Sequence, residues 1–99
     1  MTADIKTFGS FVRRERLARG IGLREMAKTI GLSHTYVSLF ECGKISPPAE
    51  YKIRLIAGVI GCDVDELLGM AGKVSTDLLD IIKQNPVEMA ALIRKARTK

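Results

Sequence analysis

The amino-acid sequence predicts an all-α fold in which short helices surround one small core. Its apolar residues are mainly Leu, Ile, Val, Met and Ala, whereas aromatic residues make up only 5% and tryptophan is absent. Glycine and proline stand mostly at the ends of segments with helical periodicity, where they stop or start helices. The 99 residues suffice for one core but not for a two-domain enzyme, and 46% hydrophobic residues exclude a wholly disordered chain.

Three helices are predicted in the first 43 residues. The first spans residues 8–19 and stops at Gly20. Its apolar positions are Phe8, Phe11, Val12, Leu17 and Ala18. The second spans residues 23–30, with Gly22 as N-cap and Gly31 as the terminating residue that reaches positive φ without strain. The third spans about residues 34–42, and the hydroxyl of Ser33 caps its first turn.

Two further helices are predicted before residue 71. A rigid lead-in of Ser46, Pro47 and Pro48 precedes the fourth helix, because proline is tolerated in a first turn but not deeper. This helix ends near Ile60, with Gly61 as its C-terminal cap. The segment DVDELLGM then forms a short fifth helix, in which Asp63 and Glu66 make a variant capping box. We expect residues 1–70 to form one domain and residues 71–99 an extension.

The extension contains two amphipathic helices. Ser75 is expected to cap the first, and Asn85, Pro86 and Glu88 provide the start signals of the second. Two helices this short do not fold alone, so their apolar residues must bury against the first domain or against another chain. We expect the second arrangement, a dimer, although a tail that covers the monomer's own core remains the alternative. The predicted dimer residues are Leu78, Leu79, Ile82, Met89, Leu92 and Ile93.

The stretch LREMAKTIGLSHTYVSLF, residues 23–40, has the residue pattern of a helix-turn-helix. Ala27 provides the small side chain that a close helix crossing requires, and Gly31 provides the turn. The spacing of its apolar residues directs them toward one small core. These residues are Met26, Ile30, Leu32, Val37 and Phe40. The pattern therefore predicts DNA binding.

The positive charge lies in the half of the chain that contains this stretch. Residues 1–54 hold ten Lys or Arg against five Asp or Glu, whereas residues 55–99 hold six of each, for a net charge of +5. Such asymmetry favours an encounter in which this half of the protein faces a polyanion. A basic surface without a partner would have the same composition, so charge alone does not decide.

Other classes of protein find little support in the sequence. It has no Walker loop, no GxGxxG and no HExxH, and its acidic cluster around Asp63 is explained by a helix start. We expect neither enzymatic activity nor a cofactor. His34 lacks further ligands nearby, and Cys42 and Cys62 form no CxxC, so we expect free thiols and no metal. No membrane span or signal peptide is apparent, so the expected location is the cytoplasm.

Residues 8–68 resemble the phage repressor and Cro-like helix-turn-helix family, also known as xenobiotic-response-element-type regulators. The resemblance rests on RRERLARG, then LREMAKTIGLSHTYVSLFECGK, then a proline-led helix that ends in GCDVDELL. It implies a five-helix domain whose third helix lies in the major groove while the second crosses the phosphate backbone. It also implies a structural ion pair between Arg16 and Glu41, which joins the first helix to the third.

The resemblance assigns contacts to particular residues. With Val37 and Phe40 facing inward, the outward residues of the third helix become the base readers. These are His34, Thr35, Ser38 and Leu39. The implied phosphate contacts are Leu23, Arg24, Lys28, Ser33, Tyr36 and Lys44. Family members often carry glutamine where this chain has Leu23, so here we expect the backbone N–H groups of that helix to bind the phosphate.

The sequence therefore predicts a sequence-specific transcriptional regulator. We expect a repressor that binds a palindromic operator in double-stranded DNA as a homodimer, with no cofactor and no membrane partner. A second interpretation is an antitoxin-type protein that neutralises a protein partner and autoregulates its operon. In that case the C-terminal helices would hold the partner, and DNA binding would be secondary.

Overall fold

The computed structural model describes residues 7–97, and this part of the chain consists of helices without strands. The helices are α1 Phe8–Ala18, α2 Leu23–Ile30, α3 His34–Glu41, α4 Glu50–Ile60, α5 Val64–Met70, α6 Thr76–Gln84 and α7 Pro86–Arg97. The predicted all-α fold is confirmed, and the bounds predicted for the first three helices, for the end of the fourth and for the fifth agree with these to within about one residue. Among residues 7–97, no helix combines the length and apolar character needed to cross a bilayer.

The first five helices surround a single hydrophobic core. The α2 helix packs against α3 and α4, α4 also packs against α1 and α5, and α1 packs against α3. The α1 to α4 helices contribute side chains spaced three or four residues apart, as one buried face requires, and α5 contributes two adjacent leucines. The buried apolar residues are Phe8, Phe11, Val12, Met26, Ala27, Ile30, Val37, Phe40, Ile53, Ile56, Ala57, Ile60, Leu67 and Leu68. Leu17 and Ala18, the other apolar positions of the predicted first helix, are exposed and take no part in this core.

Several predicted helix ends are confirmed by their geometry. Gly31 and Gly61 have φ values of 72° and 70°, so both end their helices in the left-handed conformation. The Asp63 carboxylate accepts a hydrogen bond from the backbone N–H of Glu66 at 2.9 Å and caps α5. Sequence reasoning missed Thr7, whose hydroxyl caps α1. These caps define where the helices of the core begin and end.

Two helix starts differ from the prediction. Pro47 and Pro48 precede the N-cap residue Ala49, so neither proline lies inside the first turn of α4. Ser75 occupies the N-cap position of α6, but its side chain accepts no capping hydrogen bond. Its hydroxyl instead donates to the Asp77 carboxylate at 2.6 Å, because a charged acceptor two residues away competes with the backbone N–H.

The α1 and α3 helices approach each other closely at Gly9. A Cβ atom on Gly9 would overlap the carbonyl oxygen of Phe40 and would lie 2.8 Å from that of Glu41. The aromatic rings of Phe8 and Phe40 pack beside this crossing, with centroids 5.5 Å apart. Glycine therefore allows α1 to support the carboxyl end of α3 directly.

The two C-terminal helices form a hairpin that stands apart from the core. The α6 helix packs mainly against α7 and makes only sparse contacts with the first five helices. None of the α6 residues is buried. If this tail covered the monomer's own core, residues of α6 would be buried. Their exposure therefore gives this alternative no support.

Candidate nucleic-acid interface

The α3 helix presents one strip of side chains opposite its buried face. Val37 is fully buried and Phe40 is 2% exposed, which fixes the inward side of the helix. The helical period of 3.6 residues places His34, Thr35, Ser38 and Leu39 together on the other side. Of these four, Thr35 is exposed and the other three are half-buried. The predicted base readers therefore share one outward face.

A buried ion pair anchors the carboxyl end of α3. The guanidinium of Arg16 donates two hydrogen bonds to the Glu41 carboxylate, both 2.9 Å long. The side chains are only 7% and 3% exposed, and this bond with Glu41 raises the pKa of Arg16. A third bond, from Nη1 of Arg16 to the carbonyl oxygen of Ile21, is also 2.9 Å long. Arg16 therefore joins α1 to both α3 and the segment that leads into α2.

The α2 helix begins without a side-chain cap. Gly22 is the N-cap residue in an extended conformation, as predicted, and provides no side chain for the N–H groups of the first turn. Leu23 is half-buried and packs against the core, so its side chain is directed into the domain. Arg24 and Lys28 are exposed. The start of α2 therefore combines backbone donors that no side chain caps with the cationic side chain of Arg24, whereas Lys28 lies in the last turn of the helix.

The remaining predicted phosphate contacts lie at the two ends of α3. The hydroxyl of Ser33 accepts a hydrogen bond from the backbone N–H of Tyr36 at 3.1 Å, which confirms Ser33 as the N-cap. Tyr36 is half-buried, and its ring meets that of Phe40 edge-on with centroids 6.0 Å apart. Lys44 is exposed just beyond Gly43, which has a φ of 75°. Cationic or polar groups thus border both ends of the outward strip.

Lys52 also contributes to this region, although sequence reasoning missed it. From α4, its ammonium group donates to the carbonyl oxygen of Ile30 at 2.6 Å and lies 3.4 Å from that of Gly31. It thereby satisfies carbonyl groups at the carboxyl end of α2, where a positive charge is favourable. No local sequence signal marks this role, because the partners lie more than 20 residues away in the chain.

The C-terminal hairpin carries a second, apolar surface. Leu78 and Leu79 on α6 are each 40% exposed, and Leu92 and Ile93 on α7 are 52% and 57% exposed. Ile82 and Met89, the other two predicted dimer residues, are half-buried. Two exposed residues of this hairpin were missed, Ile81 at 45% and Val87 at 84%. The sequence does show that both residues are apolar and belong to amphipathic helical segments, which could have marked them as part of the same surface.

Cysteine and acidic residues form no further site among residues 7–97. No group of three or more His, Cys, Asp or Glu residues comes together there in a way that could hold a metal ion. Cys42 and Cys62 carry free thiols, as predicted, and burial raises the pKa of Cys62.

Comparisons with known proteins agree with this geometry. The helix-turn-helix domain family matches residues 7–68, which include α1 to α5 up to Leu68. No curated protein matches the chain. A solved complex of the SinR and SinI proteins is similar in structure, with a TM-score of 0.57 and 16% sequence identity. The similarity covers 94% of this chain and 100% of that one. At this level of identity it shows a shared fold and nothing further. The chain therefore belongs to the helix-turn-helix domain family of DNA-binding transcriptional regulators.

Proposed function

We propose that this chain is a sequence-specific repressor of the phage repressor and Cro-like type, which acts in the cytoplasm and binds a palindromic operator as a homodimer. The observation that carries the proposal is the strip of four side chains on α3, held in place by a buried ion pair. A helix fixed at its carboxyl end and exposed along one side matches the requirement for reading base edges in the major groove.

The chemistry of the strip suits mixed base contacts. The hydroxyls of Thr35 and Ser38 donate or accept, so they can pair with several base edges. His34 provides a donor or an acceptor according to its tautomer. Leu39 lacks polar atoms and matches the methyl group of thymine. Sequence preference therefore depends on two hydroxyls, one imidazole and one apolar contact.

The surrounding groups suit the phosphate backbone. We place the backbone N–H groups that open α2, near Leu23, against one phosphate, with Arg24 beside it and Lys28 reinforcing the contact from the last turn of the helix. Lys44 would bind a phosphate at the other end of α3. Ser33 retains its hydroxyl proton as a donor after it has capped α3, and the hydroxyl of Tyr36 would reach phosphate or sugar.

The hairpin supplies the proposed two-fold interface. Its exposed apolar residues lose contact with water when a second copy covers them, and this burial is favourable. A dimer presents two recognition helices to half-sites separated by about one turn of DNA, roughly 34 Å. The structural neighbour is itself a complex of two proteins, which is compatible with a protein partner at this surface.

The same exposed hairpin favours a second candidate function. An antitoxin-type protein would use its apolar residues to hold a different protein and would bind its operator as a secondary activity. A heterologous partner that co-purifies in a fixed ratio and displaces the homodimer would favour this function. A homodimer that binds DNA without any other protein would favour the repressor.

The experiment is a selection of binding sites from a random pool of duplexes, combined with sedimentation of the same protein. We expect an enriched inverted repeat and the mass of a dimer. Leu92→Glu should yield monomers, because it places a charge in the interface. Leu17→Glu is the matched control, since Leu17 is 55% exposed on α1 and Leu92 is 52% exposed. A pool without an enriched motif would overturn the proposed sequence specificity.

A further inference from the structure

The hairpin joins the DNA-binding domain through a small group of polar side chains, here called the joint: Glu50 and Arg54 on α4, and Thr76 at the start of α6. The hydroxyl of Thr76 donates to the Glu50 carboxylate at 3.0 Å. The guanidinium of Arg54 donates to the other oxygen of the same carboxylate at 3.2 and 2.7 Å. One carboxylate on α4 therefore links the first residue of α6 to the DNA-binding domain.

Electrostatic interactions extend the joint beyond these hydrogen bonds. The Arg54 guanidinium, followed by the hydroxyl and backbone N–H of Thr76, holds the pKa of Glu50 below its ordinary value. Arg54 also interacts with the negative charges of Asp65 on α5 and Asp77 on α6. The joint thus brings together charges from α4, α5 and α6, and a negative charge at the start of α6 is favourable.

The joint matters because little else fixes the direction of the hairpin. Extensive packing is absent between α6 and the first five helices, and no α6 residue is buried. Ser75, which precedes α6, is only 2% exposed and donates to Asp77 rather than to the domain. A weakly packed element can pivot about its linker, so a few directional bonds at its base decide its orientation.

We propose that Glu50, Arg54 and Thr76 are positioning residues that set the angle between the hairpin and the recognition helix, and thereby the half-site spacing that the dimer accepts. This inference rests on the proposed homodimer through the hairpin. In such a dimer the hairpins are fixed to each other, so the angle at each joint determines the separation and direction of the two α3 helices. None of the three side chains needs to touch DNA for this effect.

The test measures binding of the full chain to duplexes that carry two copies of the selected half-site at different spacings, and to a duplex with one copy. The variants are Thr76→Val, which removes the donor, and Glu50→Gln combined with Thr76→Val. Thr76→Ser retains the hydroxyl and should behave as the wild type. Glu15→Gln is the control for charge, because Glu15 accepts bonds from Arg14 on α1 and from Arg19, which caps that helix, and lies outside the joint.

We expect the wild type to lose about tenfold or more in affinity away from its best spacing, a factor that a few charge-assisted hydrogen bonds can sustain. Away from the best spacing, the double variant should lose several-fold less affinity than the wild type loses. Its dimer mass and its affinity for one half-site should stay unchanged. Glu15→Gln should leave the spacing profile as in the wild type. An unchanged profile in the double variant would overturn the role of the joint and leave the homodimer intact. A monomeric wild type would overturn both the homodimer and the joint.

Discussion

At the scale of single residues, the outward strip of α3 concentrates the chemistry on which the proposed function depends. Its four members lie within one arc of the helix, opposite Val37 and Phe40. Sequence reasoning could predict this arc, because two buried residues at known spacing determine the rotation of the whole helix. It could not predict how far each member is exposed, because exposure depends on the packing of the folded domain, in which Thr35 is exposed and the other three are half-buried.

Thr35→Ala and Ser38→Ala should relax base preference without unfolding the domain. Each good base contact contributes on the order of 1 to 3 kcal/mol of discrimination, and alanine removes the polar atom that makes it. The measurement compares the affinity of each protein for the selected DNA site with its affinity for DNA sites changed at one base pair. Thr29→Ala is the control, since the Thr29 hydroxyl donates to the Glu25 carbonyl oxygen within α2. Unchanged preference in both α3 variants would refute the assigned reading face.

Lys44→Ala should weaken binding to all sequences by a similar factor. The loss of one phosphate contact lowers the slope of log affinity against log salt by about 0.9, whereas base preference stays as it was. Lys83→Ala removes the same charge from the exposed side of α6 and should leave the slope nearly unchanged. If the two variants shift the slope equally, Lys44 acts through net charge and makes no specific contact.

At the scale of helices, α3 is supported from one side by an ion pair and a close crossing. The sequence resemblance identified Arg16 and Glu41, and the structure confirms their pairing at 2.9 Å. Gly9 was not recognised, because a glycine inside a helical segment gives no local sign of the backbone that it will meet. The N-cap of α6 was only partly predicted, since the acceptor for the Ser75 hydroxyl belongs to the folded first turn.

Arg16→Met should destabilise the domain by about 3 to 5 kcal/mol, because it leaves the buried Glu41 carboxylate without a partner. Denaturant unfolding measures the free energy of unfolding. Arg14→Met is the matched control two residues away, where the side chain is 52% exposed in its pair with Glu15, and its effect should be far smaller. A comparable loss in both variants would show that burial of the pair is unimportant.

Gly9→Ala should lower stability by about 1 to 3 kcal/mol, because the added methyl group forces α1 away from the backbone of α3. Gly58→Ala provides the contrast. A Cβ on Gly58 meets nothing within 4 Å, so alanine should raise stability by up to about 1 kcal/mol through its helix propensity. Thermal unfolding of the two variants should therefore shift in opposite directions, and a stabilised Gly9→Ala would contradict the close crossing.

At the scale of the whole molecule, a domain of five helices carries the proposed DNA-binding surface and a hairpin of two helices carries an apolar one. The all-α fold and the helix order could be predicted because glycines, prolines and apolar periodicity mark the segments. The partner of the hairpin could not be predicted, since Leu92 and Ile93 present the same pattern to a second copy or to a different protein. Association depends on two surfaces together, and the sequence does not reveal whether the second surface belongs to another copy or to a different protein.

Sequence-specific DNA binding is the central claim, and a titration tests it most directly. The full chain is titrated against the duplex upstream of its own gene and against a scrambled duplex of equal composition, at two salt concentrations. We predict tighter binding to the upstream duplex at both concentrations, with affinity for both duplexes falling as salt rises. Equal affinity for the two duplexes at both concentrations would contradict the claim.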